Sequence, residues 1–202
     1  TLTGFKFIGE KIYEYQQTGS NTFLFGFEES YGYLAGTFVR DKDAVCAAVL
    51  IAEATAYYKS RGKTLYGILQ ELWERYGYFQ EALHTITLEG KSGKEQIDFL
   101  MQQVRKHALT ESAGVQLSAR EDYLNATGID LISGGKYELT LPKSDVVLFR
   151  LAQGGYVVFR PSGTEPKAKV YISVSGSSLE QAQNQLAAIK SEVLKLVDEI
   201  LK

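Results

Sequence analysis

The apolar pattern of the C-terminal residues constrains the fold more than any other feature of the chain. Apolar side chains recur there every three or four positions, at Leu179, Ala182, Leu186, Ile189, Val193, Leu196 and Ile200. Ser177 and Ser178 come just before this stripe, and Glu180 and Gln181 follow them at the spacing of a capping box. The sequence therefore predicts a long final helix whose apolar face packs on a sheet.

The segment in front of this helix is rich in β-favouring residues. We predict strands around 115–124 and 145–150 and a hairpin-like pair at 156–160 and 169–175, preceded by a helix at 94–107. This order is typical of a small α+β domain, in which helices cover an antiparallel sheet.

The N-terminal part has a different organisation. Its patterns predict helices at 7–17, 43–58 and 65–76 and strands at 21–27 and 79–88. The second of these helices is apolar on all sides, so we expect it to be buried nearly all round. We predict a partial α/β domain with a mixed sheet and packed helices.

A turn-rich connector at 89–93 marks the expected domain boundary. The predicted domains are residues 1–89 and residues 90–202, and the fold class is α/β followed by α+β. The chain begins at Thr1 and enters directly what reads as the middle of a fold, so we expect a fragment of a longer protein.

Composition excludes several classes of function. In 202 residues, 22 Lys and Arg stand against 24 Asp and Glu, so the net charge of −2 argues against nucleic acid as a partner. No run of 18 apolar residues and no secretory signal is present, so we expect no membrane partner. The single cysteine, Cys46, lies in an apolar run and predicts a buried thiol in a cytoplasmic protein.

Residues 160–166 read Arg-Pro-Ser-Gly-Thr-Glu-Pro and lie between two β-rich runs, which predicts a loop of about six residues. A guanidinium such as that of Arg160 pairs with two phosphate oxygens at once. Ser162 and Thr164 supply hydroxyl donors, and Gly163 permits a close approach of backbone amides. These residue types in one loop point to a phosphate site.

The same loop has a second interpretation. A tight hairpin of this composition, with an incidental salt bridge between Arg160 and Glu165, needs no ligand. Lys167 and Lys169 follow the loop and add positive charge in either case.

A polar triplet, Glu28-Glu29-Ser30, follows the predicted strand at 21–27. A carboxylate such as that of Glu28 can accept hydrogen bonds from two sugar hydroxyls, and Ser30 adds a donor or acceptor beside it. The alternative is a solvated acidic pair that caps the following helix.

Together these segments resemble the α-D-phosphohexomutases, the phosphoglucomutase and phosphomannomutase superfamily. Residues 160–166 are similar to the phosphate loop of the family's fourth domain. Residues 26–33, Gly-Phe-Glu-Glu-Ser-Tyr-Gly-Tyr, resemble the sugar loop of its third domain, with Phe27 where the family often has glycine. Residues 2–6 and 40–43 are similar to further substrate-facing stretches. The resemblance covers nearly the whole chain, as part of the third domain and all of the fourth.

The resemblance implies roles for individual residues. Those expected at the phosphate are Arg160, Ser162, Gly163, Thr164 and Lys169, and those expected at the sugar are Glu28, Ser30, Lys6 and Arg40. Lys42 is a candidate for assisting proton transfer. The aromatic-glycine pair Tyr31-Gly32 favours glucose-type over mannose-type members.

The resemblance also implies a reaction. A phosphoserine converts hexose 1-phosphate to hexose 6-phosphate through glucose 1,6-bisphosphate, and Mg²⁺ is held by an Asp-x-Asp-x-Asp cluster. The serine loop and this cluster are absent from the sequence, so we expect the chain to bind substrate without turnover and to need missing N-terminal domains of the same polypeptide. The alternatives are a phosphomannomutase, a non-catalytic phosphosugar-binding module, and a structural protein whose loops bind no ligand.

Overall fold

The computed structural model describes residues 2–28, 31–106 and 111–202, leaving aside the side chain of Lys91. The chain divides into two compact units, Thr1–Leu72 and Trp73–Lys202. The expected boundary between residues 89 and 90 lies further along the chain. The difference arises because the strand Tyr78–Thr87 pairs along its whole length inside the second unit.

The first unit contains helices and a two-stranded ribbon. Its elements are α1 (Phe5–Thr18), β1 (Phe25–Phe27), β2 (Tyr33–Ala35), α2 (Ala44–Lys59) and most of α3 (Leu65–Tyr76). The two strands pair antiparallel, with Phe27 opposite Tyr33. Gly19 ends α1 in a left-handed conformation, and Asp43 and Thr64 accept hydrogen bonds from the first turns of α2 and α3.

A small core holds this unit together. Phe5, Ile12 and Leu34 are buried, and Ile8 and Phe23 pack against them. The expectation that α2 is buried nearly all round is wrong for the described chain, where none of its residues is buried. The physical reason is that α2 packs mainly against the short strand β2, which covers little of its surface. Cys46 is accordingly only half-buried, with Sγ 3.8 Å from the carbonyl oxygen of Ala35.

The second unit is built on one antiparallel sheet. Its elements are β3 (Tyr78–Thr87), α4 (Gly90–Lys106), β4 (Glu111–Ser112), β5 (Val115–Asp122), β6 (Thr127–Asp130), β7 (Lys136–Glu138), β8 (Val147–Leu151), β9 (Gly155–Pro161), β10 (Lys167–Gly176) and α5 (Leu179–Leu201). The strands are ordered β3-β10-β9-β8-β5-β6-β7, with β4 paired to β5.

The core of this unit lies between the sheet and the helices α4 and α5. Phe149 and Phe159 meet there edge to face, with ring centroids 6.3 Å apart. Ile189 and Val193 bring the apolar stripe of α5 into the same core. Ser178 accepts a hydrogen bond from the Gln181 amide at 3.2 Å, so the predicted cap of this helix is confirmed.

The predicted fold class is confirmed, with mixed helices and strands and an antiparallel sheet in the second unit. Strands β4, β6 and β7 were not predicted, because they are two to four residues long and carry no alternation that a sequence pattern could reveal. No helix among the described residues is both long and apolar enough to cross a membrane.

A buried carboxylate ties three strands of the sheet together. Glu121, on β5, accepts two hydrogen bonds from the Arg150 guanidinium, at 2.7 and 3.0 Å. It also accepts from the hydroxyls of Tyr123 and Tyr137, at 2.7 and 3.1 Å. Burial raises the pKa of Glu121, but these hydrogen bonds and the guanidinium outweigh it, so the pKa lies below its ordinary value. Burial and the Glu121 carboxylate raise the pKa of Tyr123 to about 12.

We predict that Glu121→Gln lowers the free energy of unfolding of the second unit by roughly 1.5–3 kcal/mol at neutral pH, because the charge-assisted hydrogen bonds are lost. Since the folded-state pKa is depressed, the contribution of Glu121 is present above the ordinary value of 4.5 and disappears as the pH falls through the folded-state pKa. Urea unfolding followed by the fluorescence of Trp73, the single tryptophan, measures it.

The matched control is Glu138→Gln, which changes an exposed glutamate of the same sheet and should have little effect. A difference between wild type and Glu121→Gln that stays constant or grows from pH 7 to pH 3.5 would contradict the assignment.

Candidate functional site

Glu28 lies just after β1, at the start of the tight turn that leads to β2. Its backbone N–H donates to the carbonyl oxygen of Gly32 at 2.8 Å, which closes the turn. The Glu28 side chain is only 8% exposed. The predicted sugar-site residue Ser30 and its neighbour Glu29 lie outside the described residues.

The ammonium group of Lys42 lies beside the Glu28 carboxylate. Lys42 Nζ is 3.2 Å from Glu28 Oε2 and 3.0 Å from Asp41 Oδ1. The same nitrogen lies 5.7 Å from the centre of the Phe5 ring. The hydrogen bond to Asp41 and then that to Glu28 raise the pKa of Lys42 above its ordinary value. The group therefore carries a positive charge at neutral pH.

Backbone hydrogen bonds hold the segment that carries Lys42. The Asp43 N–H donates to the carbonyl oxygen of Tyr33 at 2.9 Å, and the Asp43 carboxylate caps α2 through the amide of Cys46 at 2.6 Å. The Lys42 N–H donates to Asp41 Oδ1 at 2.8 Å. This hydrogen bond, followed by that from the Lys42 ammonium, lowers the pKa of Asp41.

The two other cations expected near the sugar have different surroundings. The Arg40 guanidinium donates to the carbonyl oxygen of Thr37 at 3.0 Å and to the side-chain oxygen of Gln16 on α1. Lys6 is exposed at the start of α1, with Nζ 5.0 Å from the centre of the Phe7 ring. Arg40 thus links its loop to α1, whereas Lys6 extends toward solvent.

Tyr31 occupies a strained position in the turn. Its φ of 65° lies in the left-handed region, which non-glycine residues seldom adopt, and its side chain is 87% exposed. The strain is located immediately before Gly32, in the segment that the sequence predicts to bind a sugar.

The predicted phosphate loop connects β9 to β10 within the second unit. The Ser162 N–H donates to the carbonyl oxygen of Lys167 at 2.8 Å, which closes the loop. The Ser162 hydroxyl oxygen accepts from the amides of Thr164 and Glu165, at 3.4 and 3.3 Å. Because that oxygen acts as the acceptor, the hydroxyl hydrogen is left to donate outward.

Strand pairing brings Arg160 and Lys169 together. They are directly opposite each other in the β9–β10 ladder, and Thr85 of β3 is opposite Lys169 on the other side. Directly opposed residues of antiparallel strands point to the same face of the sheet. Two cations and a hydroxyl therefore share one face at the end of these strands, next to the loop.

The guanidinium of Arg160 is free to take a ligand within the described part of the chain, where it has neither an ion-pair nor a hydrogen-bonding partner. The alternative salt bridge between Arg160 and Glu165 is not formed, because the Glu165 carboxylate instead accepts from Lys167 Nζ at 2.9 Å. Gly163 has an ordinary negative φ, and a Cβ there would meet no atom within 4 Å. The loop surface is therefore open at this point.

The remaining titratable residues do not form a metal site. Among residues 2–28, 31–106 and 111–202, no group of three or more His, Cys, Asp or Glu is placed to hold a metal ion. His84 is half-buried on β3, and His107 lies outside the described residues.

Sequence reasoning missed the partners of both candidate sites. Thr85 is 75 residues from Arg160 in the sequence, so only strand pairing reveals that the two share a face with Lys169. Phe5 and Asp41, which lie beside the Lys42 ammonium, belong to the stretches 2–6 and 40–43. Nothing in the sequence indicates their contact with Lys42.

Comparisons with known proteins agree with this architecture. Residues 1–76 match the family described as phosphoglucomutase/phosphomannomutase, alpha/beta/alpha domain III. The phosphoglucomutase of Staphylococcus epidermidis is 39% identical over 174 residues, which are 86% of this chain and 31% of that protein. The phosphoglucomutase of Staphylococcus saprophyticus is 35% identical over 187 residues, 93% of this chain and 34% of that protein.

A solved structure shows the same fold. The exocytosis-sensitive phosphoprotein pp63/parafusin of Paramecium, a phosphoglucomutase in its open form, aligns with a TM-score of 0.57 and 20% identity over 98% of this chain and 32% of that one. The chain thus spans about a third of the length of the relatives it matches. By these matches, the chain is similar to the phosphoglucomutase/phosphomannomutase superfamily, with residues 1–76 matching its domain III and nearly the whole chain aligning with phosphoglucomutases.

Proposed function

We propose that this chain is the sugar- and phosphate-binding part of a phosphohexomutase, with phosphoglucomutase as the preferred activity. The observation that carries the proposal is the loop after β9, where Arg160, whose guanidinium has no ion-pair or hydrogen-bonding partner among the described residues, lies beside Lys169. Two like charges directly opposite each other destabilise a sheet. A dianionic phosphate bound between them removes that repulsion, so a phosphate ligand explains why the pair exists.

In this proposal the phosphate and the sugar are bound by different means. The Arg160 fork and the Ser162 and Thr164 hydroxyls donate to phosphate oxygens, the Gly163 backbone lies against them, and Lys169 adds charge. Glu28 accepts hydrogen bonds from sugar hydroxyls, and Ser30 is proposed beside it. Lys6 and Arg40 remain electrostatic candidates at the sugar, as the resemblance implies.

The chemical steps are assigned to the remainder of a longer polypeptide. The proposed reaction exchanges hexose 1-phosphate and hexose 6-phosphate through glucose 1,6-bisphosphate. The described residues provide no group of ligands that fits the Mg²⁺ implied by the family. Our prediction of a cytoplasmic location is part of the same proposal. The predicted domains, 1–89 for the sugar and 90–202 for the phosphate, are proposed as a functional division, while the strand Tyr78–Thr87 pairs with β10 in the second structural unit.

Isothermal titration of the chain with glucose 1-phosphate, glucose 6-phosphate and mannose 6-phosphate tests the proposal. We expect binding of the glucose phosphates, tighter than that of mannose 6-phosphate, with no interconversion detectable by ³¹P NMR. Preference for mannose 6-phosphate would favour a phosphomannomutase. If none of the three ligands binds, the proposal is contradicted, and the alternative of a structural protein without a ligand is favoured.

A non-catalytic phosphosugar-binding module differs from a mutase in the length of the native protein. The intact mass of the protein captured from its own cells separates them. A mass far above 22.5 kDa, with a phosphoserine outside this chain, supports the mutase, whereas a mass near 22.5 kDa supports the module.

We predict that Arg160→Ala weakens the binding of glucose 6-phosphate by about 2–3 kcal/mol, or roughly 30- to 150-fold in Kd, because a charge-assisted bidentate hydrogen bond is lost. Arg160→Lys should recover only part of this, since an ammonium lacks the planar fork. Titration calorimetry gives the Kd. The control is Arg75→Ala, which removes an arginine that stacks on Tyr76 and should leave the Kd unchanged. Equal Kd values for wild type and Arg160→Ala would exclude Arg160 from the phosphate site.

We predict that Lys169→Gln stabilises the second unit by up to about 1 kcal/mol and weakens phosphate binding several-fold, because it removes the repulsion from Arg160 together with a charge that attracts the ligand. Urea unfolding and phosphate titration measure the two effects. In the control Lys167→Gln, the ion pair with Glu165 is lost, so no stabilisation is expected. If the Lys169→Gln variant and the wild type bind phosphate with equal affinity, Lys169 is not part of the phosphate site.

We predict that Glu28→Gln weakens glucose 6-phosphate binding by roughly 10- to 150-fold, because the amide is a poorer acceptor for sugar hydroxyls than a carboxylate. Inorganic phosphate, which has no hydroxyls of this kind, should bind with unchanged affinity. Glu53→Gln, an exposed change on α2, is the matched control. A parallel loss for both ligands would show that Glu28 acts on the fold rather than on the sugar.

A further inference from the structure

The two partners of the ion pair between Glu28 and Lys42 differ in their exposure to solvent. The Glu28 side chain is 8% exposed, whereas that of Lys42 is 43% exposed. A carboxylate removed from water needs a compensating charge, and among the described residues only Lys42 lies within ion-pair distance of it. Lys42 therefore stabilises the charged form of Glu28, which water would stabilise if the side chain were exposed.

Gly32 provides the space for this contact. Its backbone φ is ordinary, so the conformation of the chain does not require glycine there. A Cβ on residue 32 would overlap Cδ of Lys42 and lie 2.7 Å from its Cγ. The aliphatic stem of Lys42 thus passes directly over the Cα of Gly32 on its way to Glu28.

We propose that Lys42 is a positioning residue that orients the Glu28 carboxylate for sugar hydroxyls, and that Gly32 determines whether it can do so. This inference rests on the proposed function for the identity of the ligand. Lys42 Nζ lies 3.2 Å from Oε2 of Glu28, and Oε1, which has no partner among the described residues, is the oxygen proposed to accept from the ligand. The paired carboxylate then offers a fixed acceptor to a sugar. Because its orientation is set before the sugar binds, binding carries no further entropy cost for ordering this side chain.

The turn geometry strengthens the assignment. The Glu28 N–H is bonded to the carbonyl oxygen of Gly32, so the two residues face each other across the turn. Lys42 is fixed independently, through the hydrogen bond from the Asp43 N–H to Tyr33 on β2. Any side chain on residue 32 must therefore displace the flexible stem of Lys42, because the backbone on both sides is held.

A first experiment tests the contact without any ligand. The ¹³C resonance of the Lys42 ε-carbon, followed through a pH titration, reports the pKa of its ammonium group. In the unsubstituted chain, Glu28→Gln should lower the pKa of Lys42, because a carboxylate that stabilises the charged form is removed. In a Gly32→Ala background the same change should have no effect, because the lysine has already been displaced.

A second experiment is a double-mutant cycle on sugar phosphate binding. Gly32→Ala and Lys42→Ala should each weaken glucose 6-phosphate binding by about tenfold. The double variant should be no weaker than Lys42→Ala, because the shortened side chain no longer reaches the space that the new Cβ occupies. Inorganic phosphate should bind all four proteins alike. Gly67→Ala, whose Cβ would lie 3.3 Å from the Thr64 hydroxyl oxygen, is the control and should change neither affinity.

The outcomes separate this inference from the proposed function. Additive effects of Gly32→Ala and Lys42→Ala, or a Lys42 pKa that responds to Glu28→Gln equally in both backgrounds, would overturn the inference. If the unsubstituted chain binds no glucose 6-phosphate, the proposed function fails, and the NMR titration still decides whether Gly32 admits Lys42 to Glu28.

Discussion

The pairing of β10 with two neighbours is the constraint on which the second unit depends. This strand runs antiparallel to β3 over ten residues and to β9 over seven, so the register of three strands is fixed together. A slip of one residue would turn Val170 and Ile172, both buried, toward solvent. The same register places Arg160 beside Lys169, so the packing of the core determines the geometry of the candidate phosphate site.

Burial on one face of the sheet makes possible the charge on the other. The helices α4 and α5 cover the face that carries Phe149 and Phe159, and they supply the apolar contacts that stabilise the sheet. The opposite face can then hold an unfavourable cation pair at the cost of a modest fraction of that stability. On that face, Glu121 and Arg150 form the contrasting arrangement, in which each charge has a partner.

Sequence patterns were sufficient for the elements whose periodicity is long. The stripe of α5 spans six turns and α3 begins at a recognisable cap, so both helices were predicted, α3 with the bounds that the structure has. Short strands such as β6 and β7 lack such a period, and they pair with their neighbours in the chain over only three or four residues. The burial of α2 was predicted wrongly because an apolar helix indicates that a covering surface is needed, not which residues provide it.

The same limit applies to the two loops. The motif around Arg160 identifies the residue types suited to a phosphate, but its pairing with Lys169 and the engagement of Glu165 by Lys167 follow from strand register. Likewise, the sequence indicates an acceptor at Glu28 and a cation at Lys42. The contact between them depends on the missing side chain of Gly32, and a glycine with an ordinary φ carries no turn signal by which it could be predicted.

The two loops handle charge in opposite ways, and the difference matches the chemistry of the two ends of a sugar phosphate. Around Glu28, the Lys42 ammonium already pairs with the buried carboxylate, so Glu28 can accept from neutral hydroxyls and keep this partner in both the free and the bound state. Around Arg160, the described residues provide no ion-pair partner for the two cations, which favours a ligand that brings its own negative charge. If the two charge arrangements were exchanged between the loops, neither loop would suit its ligand. A hydroxyl cannot neutralise two cations, and a dianion would be repelled by an unpaired carboxylate.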